Sequence, residues 1–142
     1  MQRKKLPIGI QTFAHLRKQN CYYIDKTALA LALINQGTHY FLSRPRRFGK
    51  SLFLDTLKEL FEGNEALFHG LVVHEQWDWS VKYPVLRFSF GSGAFLQSGY
   101  LYENLMAQLD KLEEKFNCQS GYTTCPERFQ ALIRHAHQQT GQ

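Results

Sequence analysis

The stretch FLSRPRRFGKSLFL, Phe41 to Leu54, constrains this chain more than any other. Three arginines and a lysine fall within seven residues, between two apolar runs. Charge at that density stays in water, so the flanking runs must turn inward and leave a loop outside. His39-Tyr40-Phe41-Leu42 reads as a short strand, and residues 43–50 as the loop. Ser51 to Glu62 reads as a helix, with Phe53, Leu54, Leu57, Leu60 and Phe61 on one face and Gly63 as its stop.

The loop closes on Gly49-Lys50-Ser51. A phosphate-binding loop reads G-x-x-x-x-G-K-[ST] between a strand and a helix. That places its first glycine at Arg44, so the pattern is incomplete. Its second half carries most of the chemistry. Backbone N–H groups from Phe48 to Leu52 would face phosphate oxygens at the positive end of the helix dipole. Gly49 would let phosphate approach, Lys50 would neutralise it, and the Ser51 hydroxyl would hold Mg²⁺. Pro45 has no N–H but precedes the donors, and Arg46 and Arg47 add planar forks suited to phosphate. The same residues also read as a basic helix start without a ligand.

The remaining segments alternate. Thr12 to Lys18 forms a short helix, and Cys21-Tyr22-Tyr23-Ile24 a strand of aromatic and β-branched residues. Thr27 caps a helix over 28–36 that Gly37 ends. Residues 64–68 add a helical turn, and Leu71-Val72-Val73 a short strand. Val85 to Phe90 is a clearer strand, broken by Gly91-Ser92-Gly93. Tyr100 to Phe116 is a long amphipathic helix with Leu101, Leu105, Leu109, Leu112 and Phe116 as its stripe. A last helix starts near Cys125, with Thr124 and Glu127 at capping-box spacing and Pro126 in the first turn. Strands alternating with helices imply an α/β layer fold with a largely parallel sheet.

Composition narrows the function. The 142 residues fit one domain, and 44% hydrophobic with 20% charged residues is ordinary for a soluble protein. Neither a membrane span nor a signal-peptide core is present, and Cys21, Cys118 and Cys125 have no paired spacing. A reducing, cytoplasmic setting follows as the expectation. Residues 1–50 carry ten Lys/Arg against Asp25 alone, whereas residues 51–142 carry seven against eleven acids. The first part therefore faces an anion or presents a solvated basic surface.

Three blocks resemble the bacterial AAA-ATPase-like family. They are Leu6 to Phe13 (LPIGIQTF), Tyr22 to Thr27 (YYIDKT) and Phe41 to Ser51 (FLSRPRRFGKS). The likeness continues through Leu67 to Leu71 and Tyr83-Pro84-Val85, so it covers nearly the whole chain. It implies that Arg44 in place of glycine is the family's own variant. It also implies a three-layer P-loop NTPase fold with a mostly parallel sheet, and ATP with Mg²⁺ as ligands. The phosphate site would comprise Arg44, Pro45, Arg46, Arg47, Phe48, Gly49, Lys50, Ser51 and Leu52, with Ser51 on the metal.

Within that resemblance residues 1–142 correspond to the N-terminal part of the domain. The strand ending in acidic residues, and the nuclease domain often joined to such ATPases, are not in this sequence. The expectation is a domain that binds ATP without turning it over alone. A second chain would pair with the open sheet edge. Two other readings stay open: a basic nucleic-acid-binding module using Arg3, Lys4, Lys5, Arg44, Arg46 and Arg47, and an interaction fragment with no ligand. Asp25-Lys26-Thr27 reads equally as a nucleotide contact or a helix cap. Trp77 and Trp79 read as packing, and His135 and His137, two apart on a helix, as a poor metal pair.

Overall fold

The computed structural model describes residues 3–91 and 99–142. Five α-helices occur among them: α1 (Phe13–Lys18), α2 (Thr27–Gln36), α3 (Lys50–Phe61), α4 (Tyr100–Lys115) and α5 (Cys125–Thr140). Two 3-10 turns lie at Glu65–Leu67 and Val72–Glu75. The chain divides into two compact units, Met1–Lys82 and Tyr83–Gln142.

The helices expected from periodicity form, with ends shifted by a residue or two. The sheet does not. Among the described residues there is no strand, only an isolated parallel bridge between Lys5 and Cys21, where the Tyr22 N–H donates to the Lys5 carbonyl at 2.9 Å. The α/β, three-layer fold with a parallel sheet is therefore replaced by a helical architecture. Strand propensity measures how a side chain suits a pleated, half-buried surface, and that surface needs neighbouring strands. Residues 21–24 and 39–42 have the composition without the neighbours, and Ile24 and Phe41 stay exposed.

Two of the expected strands have other occupations. Val72 and Val73 enter the 3-10 turn Val72–Glu75. Residues 85–90 lie beside α4, where a side-chain amide pairs with the backbone of Ser89. The Ser89 N–H donates to Gln108 Oε1 at 2.7 Å, and Gln108 Nε2 donates back to the Ser89 carbonyl at 3.0 Å. Ser92 and Gly93, expected to end that segment, lie outside the described residues.

The first unit is built on Phe13, Ala30, Leu60, Phe68 and Val73, all fully buried. Phe13 meets Phe68 at 4.9 Å between ring centroids, and Trp79 meets Phe68 at 5.2 Å. Trp77 packs edge-on against Phe61 at 5.5 Å, so both tryptophans are packing residues. Three polar ties set the elements around this core. Buried Asp55 on α3 accepts the Phe13 N–H at 2.7 Å and so caps α1 from a distance. Arg17 on α1 donates to the carbonyls of Leu67 and His69 at 2.7 and 2.6 Å.

The third tie corrects the expected cap of α2. Thr27 is the first helical residue, and Asp25 does the capping. Asp25 Oδ1 accepts the Thr27 N–H at 2.8 Å and the Thr27 hydroxyl at 2.7 Å. Asp25 Oδ2 accepts the Val72 N–H at 2.8 Å, and Thr27 Oγ1 accepts the Val73 N–H at 3.2 Å. One Asp-x-Thr unit thus starts α2 and pins the turn at Val72–Glu75 to it.

In the second unit α4 and α5 pack through Leu109, Leu112, Cys118 and Leu132. Leu101 and Ile133, expected on inner faces, are half exposed. The capping box does not form as expected, because the Thr124 hydroxyl donates to the Glu127 carboxylate at 2.6 Å instead of to backbone. Arg128 was not expected in the interior. Its Nη2 donates to Glu113 Oε2 and to Asp110 Oδ1, both at 2.6 Å, and its Nε donates to Glu113 Oε1 at 3.0 Å.

Two stability predictions follow from these ties. Asp25→Ala removes the cap of α2 and frees the turn, and denaturant titration should show a loss of about 1–2 kcal/mol. Arg128→Met leaves two carboxylates without their fork and should cost about 1–2 kcal/mol at pH 7. The Arg128 bond holds the Glu113 carboxyl below its ordinary 4.5, against the opposing effect of burial. A depressed carboxyl stabilises the fold above its unfolded value and stops doing so as pH falls through the folded one. The difference between wild type and Arg128→Met should therefore be full at neutral pH and shrink as pH drops below 4.5.

Candidate functional site

The site residues lie on the turn that feeds α3. Residues 43–49 are all exposed, and Lys50 is half-buried. Gly49 is the N-cap of α3 at φ +77°, and Arg47 is also left-handed at φ +67°. Arg44 is not among the positive-φ residues. The backbone conformation that favours glycine is needed at 49, where glycine is present, and not at 44, where it is absent. Arg44 therefore does not spoil the loop. Left-handed residues alternating with ordinary ones fold a backbone into the concave arrangement of N–H groups that suits anions.

The N-terminus of α3 is open. No side chain caps it, and its first turn contains no acid. A Cβ built on Gly49 would meet nothing within 4 Å. The Lys50 ammonium curls back into the loop, donating to the carbonyl of Arg44 and to that of Pro45 at 2.9 Å. It is thus held over the start of α3, inside the turn it belongs to. Arg46, Arg47 and Phe48 project from the exposed part of the same turn. The structure brings Arg44, Pro45 and Lys50 together, and places Ser51, an exposed residue, and Leu52 on the first turn of α3.

Beside the loop lies a cavity of about 620 Å³ in the first unit. Arg44, Phe48, Gly49 and Lys50 are among its lining residues. One wall is the α2 stripe Leu29, Ala32, Leu33 and Gln36, at the i, i+3, i+4, i+7 spacing of a single helix face. Leu52, Phe53 and Thr56 of α3 also line it. Tyr22, Tyr23 and Lys26 also line it, with apolar residues of the N-terminal segment such as Leu6, Pro7 and Leu16. Burial raises the Tyr23 phenol above its ordinary value, with the Thr56 hydroxyl partly offsetting it.

Sequence reasoning missed the α2 residues of the lining, whereas Lys26 belongs to the Asp25-Lys26-Thr27 block already singled out. The available signal was Ala28-Leu29-Ala30-Leu31-Ala32-Leu33-Ile34, a helix apolar all round. Such a helix needs company on two sides. Ala30, Leu31 and Ile34 face the core, and Leu29, Ala32 and Leu33 face the cavity. The block Asp25-Lys26-Thr27 is likewise divided: Asp25 and Thr27 hold the fold, while Lys26 lines the cavity.

Metal ligation is sparse here. No group of three or more metal-ligating side chains occurs among the described residues. His135 Nε2 bonds to the Phe116 carbonyl at 3.0 Å, and the three cysteines are free thiols. Of the described helices, none is long and apolar enough to cross a membrane.

Comparison with known proteins gives the family. The chain belongs to the AAA-ATPase-like family, whose model, described as predicted AAA-ATPase, matches residues 7–142. It is 56% identical over 143 residues to a protein of Azotobacter chroococcum mcd 1, described as an uncharacterized protein in the vnfD 5' region. That alignment takes in all of this chain and 28% of the relative, so the chain spans little more than a quarter of the relative's length. No solved structure gives a significant match.

The loop geometry makes a stability prediction. Gly49→Ala meets no steric obstacle, so its cost is the left-handed backbone alone, about 1–2 kcal/mol. Denaturant titration checks this, and an unchanged midpoint would mean that position 49 is not held left-handed in solution.

Proposed function

We propose that the chain binds Mg-ATP through residues 44–52. The observation that carries this is the Lys50 ammonium, folded into its own loop above an uncapped helix start. The N–H groups of a helix's first turn have no partner within the helix, and the dipole there favours an anion. A phosphate placed at that point meets these donors and Lys50 together, and it offers Lys50 better oxygens than the loop carbonyls it now uses. Arg44, Arg46 and Arg47 add charge around the same turn. Membership in a predicted AAA-ATPase family supports the choice of ATP.

The donor set also fits magnesium in a limited sense. Ser51, an exposed residue, would supply one oxygen. Mg²⁺ gives up water reluctantly and is commonly held by few protein ligands together with phosphate oxygens. Bound there, the ion would neutralise phosphate charge. Hydrolysis makes a further demand, since a carboxylate must order the metal's waters or the attacking water. The acids that flank the loop in sequence, Asp25 and Asp55, are both committed to backbone N–H groups that hold the fold. We therefore assign binding to these residues, and leave turnover to groups outside the loop.

Calorimetric titration with Mg-ATP tests the assignment. The wild type should bind, and Lys50→Ala should weaken binding by about tenfold or more, in keeping with a charge-assisted contact of about 1.5–3 kcal/mol. Arg87→Ala, in the other unit, serves as a charge-matched control and should bind as the wild type does. Equal binding by wild type and Lys50→Ala, or none by the wild type at millimolar ATP, rules the assignment out.

A further inference from the structure

Residues 35–49 are exposed without a break, from the last turn of α2 to the start of α3. The stretch contains Tyr40, Phe41, Leu42 and Phe48, side chains that ordinarily turn inward. Phe41 is 94% exposed and Phe48 61%. The Tyr40 hydroxyl donates to the Leu33 carbonyl, which ties the stretch to α2. Arg44, Arg46 and Arg47 stand between Leu42 and Phe48, and among the described residues no carboxylate pairs with any of the three.

Two other segments meet this stretch. Leu6, Tyr22 and Ile24 line the same cavity as Leu42, Arg44 and Phe48. The Tyr22 N–H bond to the Lys5 carbonyl joins the two segments to each other. Arg3, Lys4 and Lys5 are exposed beside Leu6, and Tyr22 and Ile24 are more than half exposed. Asp25, the one acid in residues 1–50, is spent on the N–H groups of Thr27 and Val72. Cations and exposed rings are thus interleaved on the first unit, with no acid free to answer them.

We propose that this surface binds single-stranded nucleic acid without sequence preference, its phosphates on the basic side chains and its bases stacked on Tyr22, Phe41 and Phe48. Single strands are held by cations that follow the backbone and by rings on which bases stack, and every base has a face to offer. A duplex hides those faces, and reading its major groove takes a helix or ribbon that presents the contacts. Here the cations sit on residues 3–5 and 44–47, outside every described helix. An anionic membrane is met by a helix with a basic polar face. The helix α2, which lines the same cavity, carries no charged residue. An acidic peptide would answer the cations and leave the rings in water.

The surface is separable from the phosphate loop, because Lys4, Lys5, Tyr22 and Phe41 all lie outside residues 44–52. A fluorescein-labelled oligothymidylate of about 20 nucleotides, with no ATP present, reports binding to the whole chain by anisotropy. Affinity should fall by about 0.7 log units per log unit of salt for each phosphate neutralised. Phe41→Ala should weaken binding about fivefold or more and leave the salt slope unchanged, since stacking releases no counterion. The double variant Lys4→Ala, Lys5→Ala should lower the slope by about 1.4, the share of two phosphates. Both variants should keep the wild-type melting midpoint, because the replaced side chains are exposed, and whatever affinity the wild type has for Mg-ATP. No binding at about 100 µM protein in about 50 mM salt, the weak end of non-specific affinities, overturns the proposal. So does a Phe41→Ala variant that binds as the wild type does. The duplex with oligoadenylate should bind about fivefold more weakly or worse, and a duplex bound as tightly overturns the single-strand assignment. Oligouridylate should bind within about threefold of oligothymidylate, and a larger preference for either overturns recognition by rings and phosphates alone. Vesicles with about 30% phosphatidylserine should not carry the chain down on sedimentation; co-sedimentation that Phe41→Ala abolishes gives the surface to a membrane and overturns the proposal.

Discussion

A buried carboxylate decides how the first unit is put together. Asp55 sits on α3, nearly inaccessible to water, and accepts the N–H that begins α1. A carboxylate in such a place is unfavourable unless it is hydrogen-bonded, so its partners are obligatory. The helix it serves is short, with no acid in its first turn and no cap from Thr12. A helix of six residues does not hold itself together in water. Asp55 supplies the missing cap from the side of α3, and the buried faces of Phe13 and Leu16 follow. The basic loop leads into the N-terminus of the same helix α3. The position of Lys50 relative to the core is therefore set by a bond one turn further along α3.

Around that tie the polar groups of the first unit serve packing more than chemistry. Asp25 and Thr27 share two N–H groups of the Val72–Glu75 turn, and Arg17 takes two carbonyls from residues 67 and 69. Each of these contacts joins elements more than forty residues apart in sequence. They replace the ladder that a sheet would have provided. Hydrogen bonds from short polar side chains to backbone are the usual alternative where no strand is available. The consequence for function is a division of labour by sign. Asp25 and Asp55 are occupied by backbone N–H groups, while the arginines of the loop are exposed and Lys50 meets backbone carbonyls.

What was legible in the sequence was local. Helical periodicity identified Phe13–Lys18, Thr27–Gln36, Lys50–Phe61, Tyr100–Lys115 and Cys125–Thr140 closely, because each has its own apolar face and stop signal. Strands were not legible in the same way. Tyr22, Ile24, Tyr40 and Phe41 have strand-like side chains, but pairing depends on residues elsewhere in the chain, and a single run says nothing of them. Long-range caps were hidden for the same reason. Asp55 reads as a polar residue on an amphipathic helix until Phe13 is seen beside it, and Arg128 reads as a surface charge until Glu113 and Asp110 close on it. Of the candidate site, the loop residues were legible from their motif. The α2 wall was not, because Leu29 and Leu33 look like ordinary core positions of an apolar helix.

The loop itself shows why a motif match and a physical match can differ. By pattern, position 44 should be glycine, and an arginine there reads as a defect. Glycine matters in such a loop for two reasons, positive φ and close approach of backbone to ligand. The first does not apply to Arg44, which contributes its carbonyl to Lys50 and is not among the positive-φ residues. The left-handed conformation falls on Arg47 and Gly49 instead. Arg47 carries that strain with a side chain attached, which an L-residue accepts only where surrounding structure imposes it. Pro45, with its fixed φ, stiffens the chain two residues earlier. The turn therefore owes its shape to Pro45, Arg47 and Gly49 acting in sequence, and position 44 is free to carry a cation at the edge of the cavity.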